Sequence, residues 1–230
     1  MTGQDLREAR KRRGWTQQEA AEHLGVSQGY VSMLEGDRRH LPSHLLKDVL
    51  NAYEVSPLAL PLRGTETWRQ VNADVLATQL AGLGYPGFSY MNTRATWNPA
   101  ELLVVALTKD DLEPRVAEAL PWLALRYHDV DWDWVVRETK LRDAQNRLGF
   151  AVTLARELAE RKQDIVAAGK LLSTENQLQR SKLAHVGTFC NERMSQAEKR
   201  WLRERSTPEA QQWNMLSDLT PEHLAHASAA

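Results

Sequence analysis

Gln28, Gly29, Ser32 and Met33 place an amide, a small residue, a hydroxyl and a thioether on one side of a short helical stretch. A glutamine amide donates and accepts at once, which suits the N6 and N7 edge of adenine in a major groove. Ser32 and Met33 lie one turn further on, in reach of a base edge or a thymine methyl. Cations crowd both flanks: Arg7, Arg10, Lys11, Arg12 and Arg13 before the stretch, Arg38, Arg39 and His40 after it. Phosphate contacts of this kind fix a protein on a duplex without reading its sequence. Arg12, Arg13, Arg38, Arg39 and His40 are therefore the predicted phosphate contacts. Met1 to Arg63 holds nine Lys and Arg against eight Asp and Glu, so placement carries this reading and net charge does not. A solvated helix face is the plain alternative for the same cluster.

The stretch that must hold these groups is Thr16 to Glu35, TQQEAAEHLGVSQGYVSMLE. Thr16 and Glu19 have the spacing of a capping box, and Ala20, Ala21 and Leu24 form a buried face. Gly25 supplies the reversal, where a left-handed backbone carries no Cβ penalty. Val26 fills the angle, and Ser27 caps the second helix at an end that can also meet a phosphate. Val31 and Leu34 turn inward, and Tyr30 either packs inward or bonds a phosphate. A helix over about 4–13 precedes this pair and ends at Gly14. Pro42 starts a fourth helix, with Leu45, Leu46, Val49, Leu50 and Tyr53 inward, and Val55, Leu58 and Leu60 close the core. Pro57, Pro61, Gly64 and Thr65 read as punctuation and linker, so a first domain spans 1–63.

At these residues the chain resembles the helix-turn-helix of the Xre family, which includes the lambdoid phage repressors and Cro. The resemblance covers about Leu6 to Leu60. Arg10 and Glu35 match a family ion pair, Trp15 sits at the hydrophobic position before the Thr-Gln start, and LPSHLLKDVLNAYEVSPLAL resembles the two closing helices. Gln17 resembles the family glutamine that bridges a phosphate and the recognition helix. What the resemblance implies is a five-helix, lambda-repressor-like domain that binds double-stranded DNA, with repression near its own promoter. A single such domain with little net charge should bind weakly, so a homodimer on a palindromic operator is expected. Gly29 departs from families that carry a second glutamine there, which leaves the target sequence open. Many Xre-type proteins are antitoxins, so a toxin held by the C-terminal helices is a second expectation.

The remainder reads as helical, making the whole chain all-α. A helical core domain is expected over 66–163 and a helical dimerisation or partner-binding extension over 164–230. A helix over 66–83 leads into GYPGFSYMNTRATWNP, whose aromatics either cover the core or stack on a ligand; the second option supports a ligand-gated regulator. Pro121 should kink or restart a helix. One long helix is predicted over 134–162 with Val135, Leu141, Ala144, Leu148, Val152, Ala155 and Leu158 as its stripe. Gln145, Asn146 and Arg147 would then be a specificity element or a wet face. Another helical stretch is predicted over 164–205, with Ile165, Leu172, Leu178, Leu183, Val186, Phe189 and Trp201 inward. Pro208 and Pro221 each begin a short helix, with Trp213, Met215, Leu216 and Leu224 as anchors.

Catalytic chemistry finds no support. P-loop, dinucleotide fingerprint, HExxH and paired cysteines are all missing from the sequence. His128, Asp129, Asp131 and Asp133 bring oxygen ligands together, but lack the glycine turn and following glutamate of an EF-hand. Asp131 or Asp133 as a helix N-cap explains them more simply. No metal, cofactor or enzymatic activity is predicted. His185 and Cys190, five apart, would point away from each other on a helix. The single Cys190 excludes an internal disulfide and fits a reducing compartment as a small core residue. The polar N-terminus lacks a signal-peptide core, and the run Leu102 to Leu107 is too short for a bilayer. A cytoplasmic protein without membrane contact is the expectation.

Overall fold

A computed structural model describes residues 1–62, 68, 70–91, 93 and 97–224. The expected linker at Gly64 and Thr65 lies outside the described residues. The architecture is all-α. Helices α1 (Gly3–Arg12), α2 (Gln17–Leu24), α3 (Gln28–Glu35) and α4 (Ser43–Ala52) open the chain, and a 3-10 turn over Pro57–Ala59 stands as the fifth element. Local signals set the boundaries. Thr2 with Asp5 and Thr16 with Glu19 each form a capping box. Gly25 adopts φ 64°, and the Ser27 side chain accepts from the Tyr30 amide. Leu6, Ala9, Ala20, Ala21, Leu24, Val31, Leu34, Leu45, Val49 and Tyr53 form one core. Leu46 and Leu50, expected inside, are only half-buried.

The closing turn reaches the rest of the molecule. Asn98 Nδ2 donates to the carbonyls of Leu58 and Leu60 at 2.9 and 2.8 Å, and Leu58 packs on a second core. That core is built from α5 (Ala73–Gly82), α6 (Pro99–Leu107), α7 (Pro114–Arg126), α8 (Trp132–Lys140), α9 (Gln145–Arg161), α10 (Ile165–Gln179) and α12 (Pro208–Gln212), while α11 (Gln196–Arg205) adds no residue to it. The central element is α9, buried at every position from Gln145 to Ala155. Trp213 lies against Gly149 so closely that a Cβ there would fall 2.3 Å from its ring. Two-residue strands β1 (Gly187–Thr188) and β2 (Met215–Leu216) pair in parallel beside it. Among the described residues no helix is long and apolar enough to cross a membrane.

Several elements differ from expectation for identifiable reasons. Among the described residues the helix expected over 66–83 begins at Ala73, where the Asn72 side chain accepts from the Val75 amide; residues 66, 67 and 69 lie outside them. Trp68 is buried ahead of it, donating from Nε1 to Glu101 at 3.0 Å. In the aromatic loop Tyr85, Phe88 and Trp97 are buried and only Tyr90 is largely exposed, so these rings cover the protein's own core. Residues 92 and 94–96 of that loop lie outside the described residues. Helix α7 runs through Pro121 without a restart. Asp131 caps α8 by accepting from the Trp134 amide at 2.9 Å.

The long helix over 134–162 is two helices. Asp143 takes φ 54°, and the Ala144 amide donates to Thr139 O, closing α8 where no glycine marked an end. Leu141 is consequently exposed. The stretch over 164–205 is likewise broken: α10 ends at Gln179, and β1 and irregular backbone precede α11. Ala167, Leu171, Thr174 and Leu178 form the buried face of α10, whereas Ile165 and Leu172 face out. Val186 and Trp201 are exposed as well. One core cluster runs from Trp68 to Leu224, so residues after 164 fold back onto α9.

Gln145, Asn146 and Arg147 are not a wet face, because all three are buried and bonded to the protein's own backbone. Asn146 exchanges two hydrogen bonds with the Leu183 backbone, both at 2.9 Å. Arg147 gathers the carbonyls of Thr188, Leu107 and Lys109 and the carboxylate of Glu192. His185 and Cys190 share no helix. Burial pushes the Cys190 thiol up to about 11, which suits a small packing residue.

Candidate nucleic-acid interface

Helix α3 turns Val31, Leu34 and Glu35 into the N-terminal core and leaves Gln28, Gly29, Ser32 and Met33 exposed. Behind that surface lies a continuous polar relay. Arg10 grips Glu35 with a fork, Nε to Oε1 at 2.5 Å and Nη2 to Oε2 at 3.0 Å. Its remaining Nη1 donates to the Trp15 carbonyl at 2.6 Å. Gln17 Nε2 donates to Glu35 Oε2 at 3.0 Å, and Gln17 Oε1 accepts from Gln28 Nε2 at 2.8 Å. One hydrogen of the Gln28 amide is thus committed. The amide has a second donor and its oxygen still available for a base edge.

The electrostatics follow from this packing. Burial pushes the Glu35 carboxyl up, but hydrogen bonds from Arg10 and Gln17 and the charges of Arg10 and Arg7 outweigh it and hold it below the ordinary range. The Glu35 hydrogen bond raises Arg10, so both partners stay charged. Arg7 Nε comes within 3.6 Å of Glu35 Oε2, so that residue, expected with the phosphate cluster, leans toward the relay.

The flanking cations fall into two groups. All five predicted cationic contacts are exposed, and Arg12, Arg38 and His40 form no ion pair among the described residues. Arg13 pairs with Glu54 at 2.6 Å and lies over the Trp15 ring, and Arg39 lies over half-buried Tyr30. Meeting a phosphate with Arg13 means exchanging the Glu54 carboxylate for it. A clasp unmarked in the sequence fixes the turn after α3: the Gly3 amide donates to Asp37 Oδ1 at 2.6 Å, with Asp37 at φ 52°. Gly3 fits because a Cβ would lie 2.4 Å from Leu34 O. The only signal available was the Gly36-Asp37 turn pair; the Gly3 contact spans 34 positions.

The helix pair, its left-handed glycine turn and the outward reading face define a DNA-binding helix-turn-helix. Residues 6–60 match the helix-turn-helix family model, and this segment is of the Xre, lambda-repressor-like type. In kind, the chain is a DNA-binding transcription regulator. Comparison with curated proteins and with solved structures yields no match.

Arg38→Ala or Arg12→Ala should weaken binding to all duplexes alike. The slope of log K against log salt should flatten by about 0.9 for each phosphate no longer neutralised. Titration over a salt series checks this, and an unaltered slope removes the residue from the interface.

Proposed function

We propose that the chain is a dimeric, sequence-specific repressor that inserts α3 into the major groove and acts near its own promoter. The observation that carries this reading is the Gln28 amide. It is exposed at the start of α3 yet anchored through Gln17 to the buried Glu35–Arg10 pair. Pre-positioning of this kind favours a bidentate contact with adenine, with Gln17, Ser27 and the exposed cations meeting the backbone. The test is a gel shift with the chain's own upstream DNA against scrambled competitor. A specific shift in dimer-sized steps is expected, and failure of any duplex to outcompete the scrambled one sinks the proposal. Gln28→Ala should cost roughly 1–3 kcal/mol and relax preference at one base position. Unchanged specificity would remove Gln28 as a reader.

The dimeric part of the reading draws on α10. Ile165 is 84% and Val166 62% exposed, and Ile165 lies at the edge of a groove of about 530 Å³ that it lines with Ala168, Gly169 and Leu172, with Glu160 and Asp164 at its polar rim. A projecting side chain and a recess on one helix are what a two-fold, self-complementary contact requires. Two copies can then address half-sites about 34 Å apart. Ile165→Glu should lower the mass seen by sedimentation to that of a monomer and leave binding to a single half-site intact. A dimer that persists places the interface elsewhere. The same apolar surface also favours a second reading, in which α10 captures a toxin; a complex with an adjacent gene product that Ile165→Glu abolishes would select it.

A further inference from the structure

We infer that α11 is a second, sequence-independent contact to duplex DNA, working beside the helix-turn-helix; the inference rests on the DNA-binding reading above. Residues 193–205 carry Arg193, Lys199, Arg200, Arg203 and Arg205 against Glu198 and Glu204, a net +3 within a chain of net −1. The acid at 198 is taken up by its own helix, closing a capping box with Ser195. Lys199 is also committed, donating to the Glu192 carbonyl at 3.0 Å. Only Leu202 of α11 is buried, so the helix lies on the body along one edge and turns the rest outward.

Arg200, Arg203 and Arg205 face out, the first two three apart and hence neighbours on one side, with Trp201 and the acids Glu198 and Glu204 exposed on the same helix. Of the other arginines after α8, Arg142, Arg147, Arg156 and Arg161 each pair with a carboxylate, while Arg180 at the end of α10 is exposed. Among the described residues no carboxylate forms an ion pair with Arg193, Arg200, Arg203 or Arg205. Guanidinium forks left open in this way match phosphate oxygens. A protein partner is the weaker fit, because interfaces of that class need an apolar centre. The one large apolar group here, Trp201, is already overlaid by the Arg205 guanidinium at 4.4 Å. Charge complementarity therefore points to a polyanion, and the chain already carries a domain that brings one near.

The test compares the full-length protein with R200Q/R203Q/R205Q on two duplexes, one ending at the operator and one extended on both sides. The wild type should bind the extended duplex more tightly than the short one, and the triple variant should lose that gain. Its slope of log K against log salt should fall by about 2–3, the release expected for two or three phosphates, with base preference unchanged. Should the triple variant lose its thermal transition, Arg200→Gln alone should lower the slope by about 0.9. Identical slopes and identical length dependence overturn the proposal and leave the face to an acidic protein. Gln28→Ala separates this from failure of α3 as a reader. If α3 reads nothing, that variant matches wild type, yet the salt-dependent binding contributed by α11 persists and is lost only in the arginine variant.

Discussion

Glu35→Ala will destabilise the N-terminal domain by about 3–5 kcal/mol, the cost of stripping one partner from a buried ion pair. The Glu35 side chain is 1% exposed and is the hub on which Arg10 and Gln17 converge. Alanine leaves the Arg10 guanidinium buried with only the Trp15 carbonyl, and leaves the Gln17 amide without its acceptor. A domain of this size holds roughly 3–9 kcal/mol in all, so the loss approaches its whole stability. Because the domain has its own core, hydrogen exchange should rise in peptides from residues 6–60 and leave those from α9 protected. Specific DNA binding should vanish with it. Equal protection in both regions of the variant would show that the pair contributes nothing net.

The same residue sets an acid limit. Glu35 is held below its ordinary value in the folded state, so the unfolded chain binds its proton more readily. Its contribution is complete above the unfolded glutamate range, near 4.3, and is lost as pH falls through the lower folded value. Glu35→Gln, which keeps the shape and one acceptor, should flatten this acid limb and be less stable than wild type at neutral pH. An acid limb as steep in Glu35→Gln as in wild type would assign the effect to other carboxylates.

What could be read from the sequence was what is written locally. Thr16 and Glu19 lie three apart and Gly25 supplies its own turn, so the caps and the reversal needed nothing from elsewhere. The outward face of α3 follows from the same short-range spacing. Helical periodicity also identified an all-α chain, but not where its helices stop. Asp143 reverses the chain in a left-handed conformation that most residues avoid, and the only mark of it in DAQNRLGF is that an aspartate tolerates that conformation better than most. Partners distant in sequence were invisible for a different reason. Asn146 answers to Leu183 and Arg147 to Thr188, 37 and 41 positions away, and only the fold brings them together. Polar side chains on a helix read as solvent-facing until such partners are known. The converse error befell Ile165 and Leu172, apolar residues assigned inward that the packing of Ala167 and Leu171 turns out.

The burial of Arg147 leads to the second large effect: Arg147→Met should destabilise the C-terminal core by about 3–5 kcal/mol. Helix α6 ends at Leu107, and like any helix it leaves its last carbonyls without intrahelical donors. Arg147 Nη1 reaches the carbonyls of Leu107 and Lys109 at 3.0 and 2.6 Å, placing a cation where the helix dipole favours one. Nε donates to Thr188 O at 3.0 Å, and Nη2 meets Glu192 Oε1 at 2.9 Å. One guanidinium thus ties the end of α6 and the start of α9 to β1. Methionine fills similar space but donates nothing, so three carbonyls and a carboxylate lose their partner together. Arg147→Lys should fall between, since an ammonium keeps the charge and cannot span all four acceptors at once. Urea unfolding measures both, read from exchange in peptides of α6 and α9. An unfolding free energy for Arg147→Met within about 1 kcal/mol of wild type would mean that water replaces the guanidinium without loss, and that packing around Trp213 and Gly149 holds these elements without it.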